Sequence, residues 1–260
     1  MMQDMLGAAS GLLVWFSLGL IGGGGSILAV PLILYVVGVK NPHVAIGTSA
    51  VAVAASAAVN LANHARQGTV RWHCALVFAA AGIAGAFGGS SFGKIVDGQK
   101  LILLFALLMM AIGLLMLRPR LELGNAAVML TRGNFPALLG LGFASGALAG
   151  FFGIGGGFLI VPGLMLATGM PISNAIGSSL VAVTAFGLTT ATNYALSNLV
   201  DWRIAAMFLV GAVLGGVAGV QLSRHLSVKR GALNKVFVAV IFFIAIYMIV
   251  RTLSSMSTVT

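Results

Sequence analysis

Apolar runs of membrane-spanning length recur eight times in this chain, at approximately 5–37, 43–64, 72–93, 99–117, 135–168, 172–196, 203–223 and 232–251, with short polar punctuation between them. A helix that crosses a hydrocarbon core ~30 Å thick needs about 20 apolar residues, and six of the runs fit a single crossing. The first and fifth are too long, because a thirty-odd-residue helix would reach about 50 Å at ~1.5 Å per residue. Each also holds a glycine cluster at its middle. These two segments are therefore expected to be broken.

The broken segments are copies of each other. Gly22-Gly23-Gly24-Gly25-Ser26-Ile27-Leu28-Ala29-Val30-Pro31 lies over Gly153-Ile154-Gly155-Gly156-Gly157-Phe158-Leu159-Ile160-Val161-Pro162. Downstream, Ala45-Ile46-Gly47-Thr48-Ser49-Ala50-Val51-Ala52-Val53 lies over Ala175-Ile176-Gly177-Ser178-Ser179-Leu180-Val181-Ala182-Val183, with Asn63 over Asn193 and Trp72 over Trp202. Ordered landmarks at matched spacing indicate a tandem of homologous halves. The first transmembrane repeat covers 1–117, a polar connecting loop 118–134, and the second repeat 135–260.

The expected fold is thus an all-α polytopic membrane protein of two homologous halves, each with a glycine-broken first segment and three further transmembrane helices. If the broken segments each cross once, the repeats are parallel and basic residues divide evenly between the two faces. If they dip and return, the repeats are inverted. Arg66, Arg71, Arg118, Arg120, Arg132, Arg224, Lys229, Arg230 and Lys235 then share one face, with Lys40, Lys94, Lys100, Arg203 and Arg251 on the other. The inverted arrangement is favoured because it gives the positive-inside rule something to act on.

Composition narrows the chemistry. Charged residues make up 7% of the chain against roughly 25% in soluble domains, which excludes a soluble enzyme. The formal net charge of +10 comes from basic residues scattered between apolar runs, not gathered on one face as nucleic-acid binding requires. The single cysteine, Cys74, allows no intrachain disulfide and no thiolate metal cage, and reads as ordinary packing. The four acids, Asp4, Asp97, Glu122 and Asp201, all fall outside the apolar runs, so the carboxylate relays of proton-coupled pumps have no candidate. No nucleotide-binding or His-Glu metal signature occurs. No enzymatic activity, cofactor or metal is expected.

Non-helical backbone at membrane depth is tolerated only where protein or a water-filled cavity surrounds it. Downstream of each break a helix should restart near Ser26 or Gly157, with Pro31 and Pro162 about one turn in, where a missing N–H does little harm. Free amides at such starts suit an anion, and two half-helices meeting near the midplane are the arrangement expected of a secondary transporter. The candidate substrate ligands are therefore Gly24, Gly25, Ser26, Gly155, Gly156 and Gly157, joined by the hydroxyls of Thr48, Ser49, Ser178 and Ser179. The competing role for those hydroxyls is a bond back to a carbonyl one turn earlier. Asn63, Asn193 and His64 are secondary candidates. Both asparagines suit helix-end hydrogen bonding, and Trp72 and Trp202 suit interfacial anchoring. The series Gly82, Gly85, Gly88, Gly89 and its counterparts Gly211, Gly215, Gly216, Gly219 are read as close-packing faces.

At these residues the sequence resembles the TauE/SafE family of sulfite and organosulfonate exporters, over nearly the whole chain. The resemblance implies a bacterial inner-membrane protein that exports a small sulfur-containing or related organic anion. A related thiosulfate-importing group uses cysteines in its pathway, and neither glycine cluster here contains one. The expected partners are a small anionic substrate and the lipid bilayer, without nucleic acid; a homo-oligomer is compatible with the sequence. An anion channel and a non-transporting accessory subunit are the alternatives.

Overall fold

The computed structural model describes residues 2–21, 25–117, 130–212 and 230–257. Those residues form helices and short connections. Helix α1 is Met2–Ile21. A short composite helix, α2, follows as a 3-10 turn Gly25–Leu28, an α turn Ala29–Pro31 and a π turn Leu32–Val36. Then come α3 Pro42–Arg66, α4 Trp72–Gly93 and α5 Gly98–Leu117. The second half repeats the order with α6 Phe135–Phe152, α7 Gly157–Thr168, α8 Ile172–Ala195, α9 from Trp202 through Ala212, and α10 Arg230–Ser257. Five of these, α3, α4, α5, α6 and α8, are long and apolar enough to cross a membrane. The second expected break is present between α6 and α7, Gly22–Gly24 of the first lie outside the described residues, and Trp72 and Trp202 stand at helix starts, 45% and 63% exposed.

Local chemistry explains the boundaries. The Asn41 side chain accepts from the His43 amide, and Pro42 opens α3 at the one position where a missing N–H costs nothing. Asp97 does the same service for α5, accepting from the amides of Gln99 and Lys100 at 3.0 and 3.2 Å. Pro162 lies inside α7, within its first two turns. Asp4, expected outside the first run, sits in the first turn of α1, where it pairs with the exposed Arg203 at 2.8 Å.

Packing follows the small residues. Helices α4 and α6 run parallel, with Gly142 against Phe78, Gly146 against Gly82 and Gly150 against Ala86. Gly85 and Gly89 face Phe143 and Ala147 from the other side. Gly88 departs from the expected packing series, because it is exposed and meets nothing within 4 Å. Its neighbours on the face are spaced three and four apart, which leaves position 88 on the outer side of the helix. Gly211 packs on Ala8, so α1 and α9 also run parallel; Gly215, Gly216 and Gly219 lie outside the described residues. Cys74 is buried, as ordinary packing requires.

Helices α3 and α8 occupy the same position in the two halves and lie against each other in opposite directions. Gly47 meets Tyr194 and Leu199, Ala54 meets Gly187, and Thr69 meets Gly177 and Asn174. One end of the bundle therefore gathers Asp4, Pro42, Lys94, Gly98 and the 197–203 connection. The other gathers Thr69, Arg71 and the start of α8. Both broken segments are hairpins. The first leaves from the Lys94 end at Asp4 and comes back to it at Tyr35, whose ring meets Tyr247 and Arg251. The second leaves from the Arg71 end and returns there through α7, with Gly156 on Ala149 and Gly163 near Ser145.

Candidate functional site

The second break has the geometry that its glycines dictate. Gly153, Gly155 and Gly156 hold φ values of 67°, 63° and 69°, a left-handed backbone that only glycine adopts freely. Gly153 ends α6, Gly156 precedes α7, and the intervening Ile154 is fully buried. The first amides of α7 have no partner within their own helix and carry the positive end of its dipole. The break as a whole is packed into protein, as non-helical backbone at membrane depth must be. Of the first break, Gly24 lies outside the described residues. Gly25 opens the 3-10 turn, and Ser26 is buried.

Gly155 sits between the two central helices. A Cβ placed there would lie 2.5 Å from Val53 Cγ1 on α3 and 3.1 Å from Val183 Cγ1 on α8. Val53 and Val183 occupy equivalent positions in the two halves, so a residue touching both lies at the centre of the repeat pair. Both valines are buried. Aliphatic side chains therefore pack against Gly155 from both central helices.

The four hydroxyls divide into two kinds. Ser49 Oγ donates to the Ile46 carbonyl at 2.8 Å and lies 3.1 Å from the Gly153 carbonyl, tying α3 to the second break. Ser179 Oγ donates to the Ile176 carbonyl at 2.8 Å. Thr48 Oγ1 instead accepts from the Asp201 amide at 3.0 Å, and Ser178 Oγ accepts from the Arg71 amide at 2.8 Å. A hydroxyl has one donor and two lone pairs, and among the described residues no acceptor takes the O–H of Thr48 or Ser178. They are not near each other. With Ala54 level with Gly187, Ser178 is level with residue 63 of α3, about 22 Å from Thr48 at 1.5 Å per residue. The structure does not gather all four hydroxyls at one point; it places one donor hydroxyl toward each end of the bundle, with the valine pair between.

The secondary candidates also separate. Asn63 is exposed. Asn193 is 6% exposed and joins helices: its Nδ2 donates to Ser90 Oγ at 2.6 Å and Ser91 Oγ at 2.9 Å, and its Oδ1 accepts from Lys94 Nζ at 2.8 Å. The His64 ring nitrogen Nδ1 lies 2.9 Å from Thr69 Oγ1, within the connection that ends α3. Among the described residues no group of His, Cys, Asp and Glu could hold a metal ion. The valine pair was missed in the sequence, although its signal was there in the matched Ala-Val at 52–53 and 182–183.

Comparison with known proteins decides the family. Residues 7–248 match the model described as "Sulfite exporter TauE/SafE". The chain belongs to the TauE/SafE family. A "Probable membrane transporter protein" of Xylella fastidiosa (strain 9a5c) is 54% identical over 253 residues, covering 95% of both chains. The "Probable membrane transporter protein YunE" of Bacillus subtilis (strain 168) is 28% identical over 231 residues, covering 81% of this chain and 85% of its own. No solved structure matches the chain. Membership of this family and several apolar helices of spanning length make the protein a multi-pass membrane transporter.

Proposed function

We propose that this TauE/SafE member is a secondary carrier, built from inverted repeats, that exports a small organic or sulfur-containing anion such as sulfite or a sulfonate across the bacterial inner membrane. The observation that carries the reading is the left-handed turn at Gly155, seated between Val53 and Val183 at the centre of the repeat pair. Inversion is supported by the antiparallel α3 and α8 and by their reciprocal bonds, Thr48 to the Asp201 amide and Ser178 to the Arg71 amide. Each is the other's counterpart, made in the opposite sense.

In this reading the break amides, at Gly155, Gly156 and Gly157 and at Gly24, Gly25 and Ser26, replace the anion's hydration at mid-depth. Thr48 and Ser178 offer their O–H groups on either side of the valine pair, and Ser49 holds the second break in place. The anion touches one hydroxyl at a time. The Arg71 end, with Arg66 and Arg132 in its connections, is the cytoplasmic face by the positive-inside rule. An inside-negative potential then drives an anion outward at about 2.3 kcal/mol per charge per 100 mV.

The test is flux in proteoliposomes of the purified protein loaded with labelled sulfite, an alkanesulfonate or a small carboxylate. Saturable efflux that external unlabelled anion accelerates is expected. Linear, non-exchanging flux would replace the carrier with a channel. Absence of flux for every anion, from protein that is folded by thermal unfolding, would refute transport by this chain alone.

A further inference from the structure

At the Lys94 end, away from the glycine breaks, the structure has an open cavity of about 400 Å³. It is enclosed by Tyr35 at the end of α2, Lys40 and His43 at the start of α3, Asp97 and Gln99 at the start of α5, and Arg251 on α10. Its walls come from both halves, although the repeat does not duplicate its chemistry: Lys40 aligns with Met170, and His43 with Ser173.

Two cations and one acid line the cavity, and the acid caps the start of α5. Asp97 directs Oδ1 to the amides of Gln99 and Lys100. Lys40 has no ion-pair partner among the described residues. Among the described residues Arg251 is held without a carboxylate: its guanidinium lies 5.1 Å from the Tyr35 ring centroid and donates to Tyr247 Oη at 2.9 Å. Two aromatic rings thus fix its direction and leave further N–H groups for a ligand. The Nδ1 atom of His43 is buried without a hydrogen-bond partner among the described residues, a condition that native structures resolve with a water or a bound group.

We propose that this cavity is an oxyanion site, in which Lys40 and Arg251 bind a sulfonate, phosphate or carboxylate group carried on an organic body, with His43 at its edge. The volume exceeds what a bare tetrahedral oxyanion fills, which leaves room for the attached carbon skeleton. Arg251 supplies a fork that matches two oxygens of one group, and Lys40 a mobile point charge. The site is separate from the Gly155 break and does not depend on the function proposed for that break. A free organic anion and the headgroup phosphate of a phospholipid share this chemistry.

Native mass spectrometry of detergent-purified, delipidated protein distinguishes them, with ethanesulfonate and short-chain phosphatidylglycerol as probes at ionic strength fixed with sodium chloride. Wild-type protein should bind at least one probe, and Lys40→Gln should weaken that binding about fivefold or more. Lys40 is exposed and unpaired, so this variant is expected to fold normally. Arg251→Lys should weaken it as well, because charge without the fork is not enough. Ethanesulfonate binding that phosphatidylglycerol does not displace identifies a free anion, and the reverse identifies a lipid headgroup. Binding of neither probe, or binding equal in the wild type and both variants, overturns the proposal.

Discussion

Gly85 and Gly88 are three residues apart on α4 and should respond to alanine in opposite directions. Both gain helix propensity, worth about 0.8 to 1 kcal/mol for glycine to alanine in a helix interior. At Gly88 nothing lies within 4 Å of the new methyl, so the gain stands alone. At Gly85 the methyl would fall on the Phe143 carbonyl oxygen, with the Ala147 nitrogen only 2.9 Å away. Those are backbone atoms of α6 and cannot rotate aside, so α6 must move outward. That displacement also loosens Gly142, Gly146 and Gly150, which press the same helix onto Phe78, Gly82 and Ala86. Overpacking of this kind costs about 1 to 3 kcal/mol, and more where the obstacle is rigid.

The net expectation is that Gly88→Ala is stabilised by about 1 kcal/mol and Gly85→Ala destabilised by about 1 to 2 kcal/mol. Thermal unfolding of the purified variants in one detergent, at one heating rate, reads the difference as opposite shifts of the apparent midpoint, with the rate fixed because unfolding of membrane proteins is often irreversible. Shifts of the same sign and size would refute the close approach of α4 and α6. Transport per folded molecule should be unchanged in Gly88→Ala.

The remaining expectations concern the hydroxyls, the asparagines and the repeat. Thr48→Val and Ser178→Ala remove both an acceptor for a part-buried amide and the donor offered to an anion, so each should lose about 1 to 2 kcal/mol of stability and weaken anion affinity in flux assays. Ser179→Ala should leave affinity within twofold, since its O–H is already committed to the Ile176 carbonyl; a tenfold loss would reassign that proton to substrate. Asn193→Leu removes the bonds to Ser90, Ser91 and Lys94 Nζ from a buried position and should destabilise by about 2 to 4 kcal/mol, although Lys94 keeps the Asn193 carbonyl and Ser197, whereas Asn63→Leu should stay within about 0.5 kcal/mol, both read by thermal unfolding. Cysteines placed at Gly68 and Asn198 should label from opposite membrane faces, and labelling from one face would remove the inverted repeat.

Much of the architecture was legible because glycine leaves a distinctive trace. Glycines crowded side by side, as at 22–25 and 155–157, work against a helix where the spaced glycines of α4 do not, and the duplicated cluster located the break at 153–156. What the sequence could not reveal is the direction of a hydrogen bond whose partner comes from the other half. Ser49 and Thr48 are neighbours of similar chemistry, yet one donates to its own helix and the other accepts from Asp201. Alignment likewise equated Asn63 with Asn193, though only the latter meets Ser90, Ser91 and Lys94. The corresponding positions in the second half are Val220, Gln221 and Arg224, so Asn63 has no serine pair of its own to join. The cavity at Lys40 was invisible for a related reason, since Tyr35 and Arg251 are brought together only by the docking of the last helix on the first hairpin.

The reciprocal bonds also bear on how the proposed carrier would open. Asp201 and Arg71 immediately precede Trp202 and Trp72, the first residues of α9 and α4. Each bond therefore fastens the start of a peripheral helix in one half to a central helix: α9 to α3 at the Lys94 end, and α4 to α8 at the Arg71 end. A rocking of one half against the other that separates α4 from α8 at the Arg71 end releases Ser178 from the Arg71 amide and leaves Thr48 bound to Asp201. The opposite rocking exchanges them. Each bond is worth a net ~0.5 to 1.5 kcal/mol, so opening either end alone changes the population of states by about tenfold or less, while opening both at once costs the product. Ser178 or Thr48, once released, has two free lone pairs and an O–H at the mouth of the open side, where an anion can take the donor. In the proposed carrier the same two hydroxyls would then serve as latch and ligand in turn, a role that the recurrence at 48 and 178 would fit although the two stand too far apart to share one substrate.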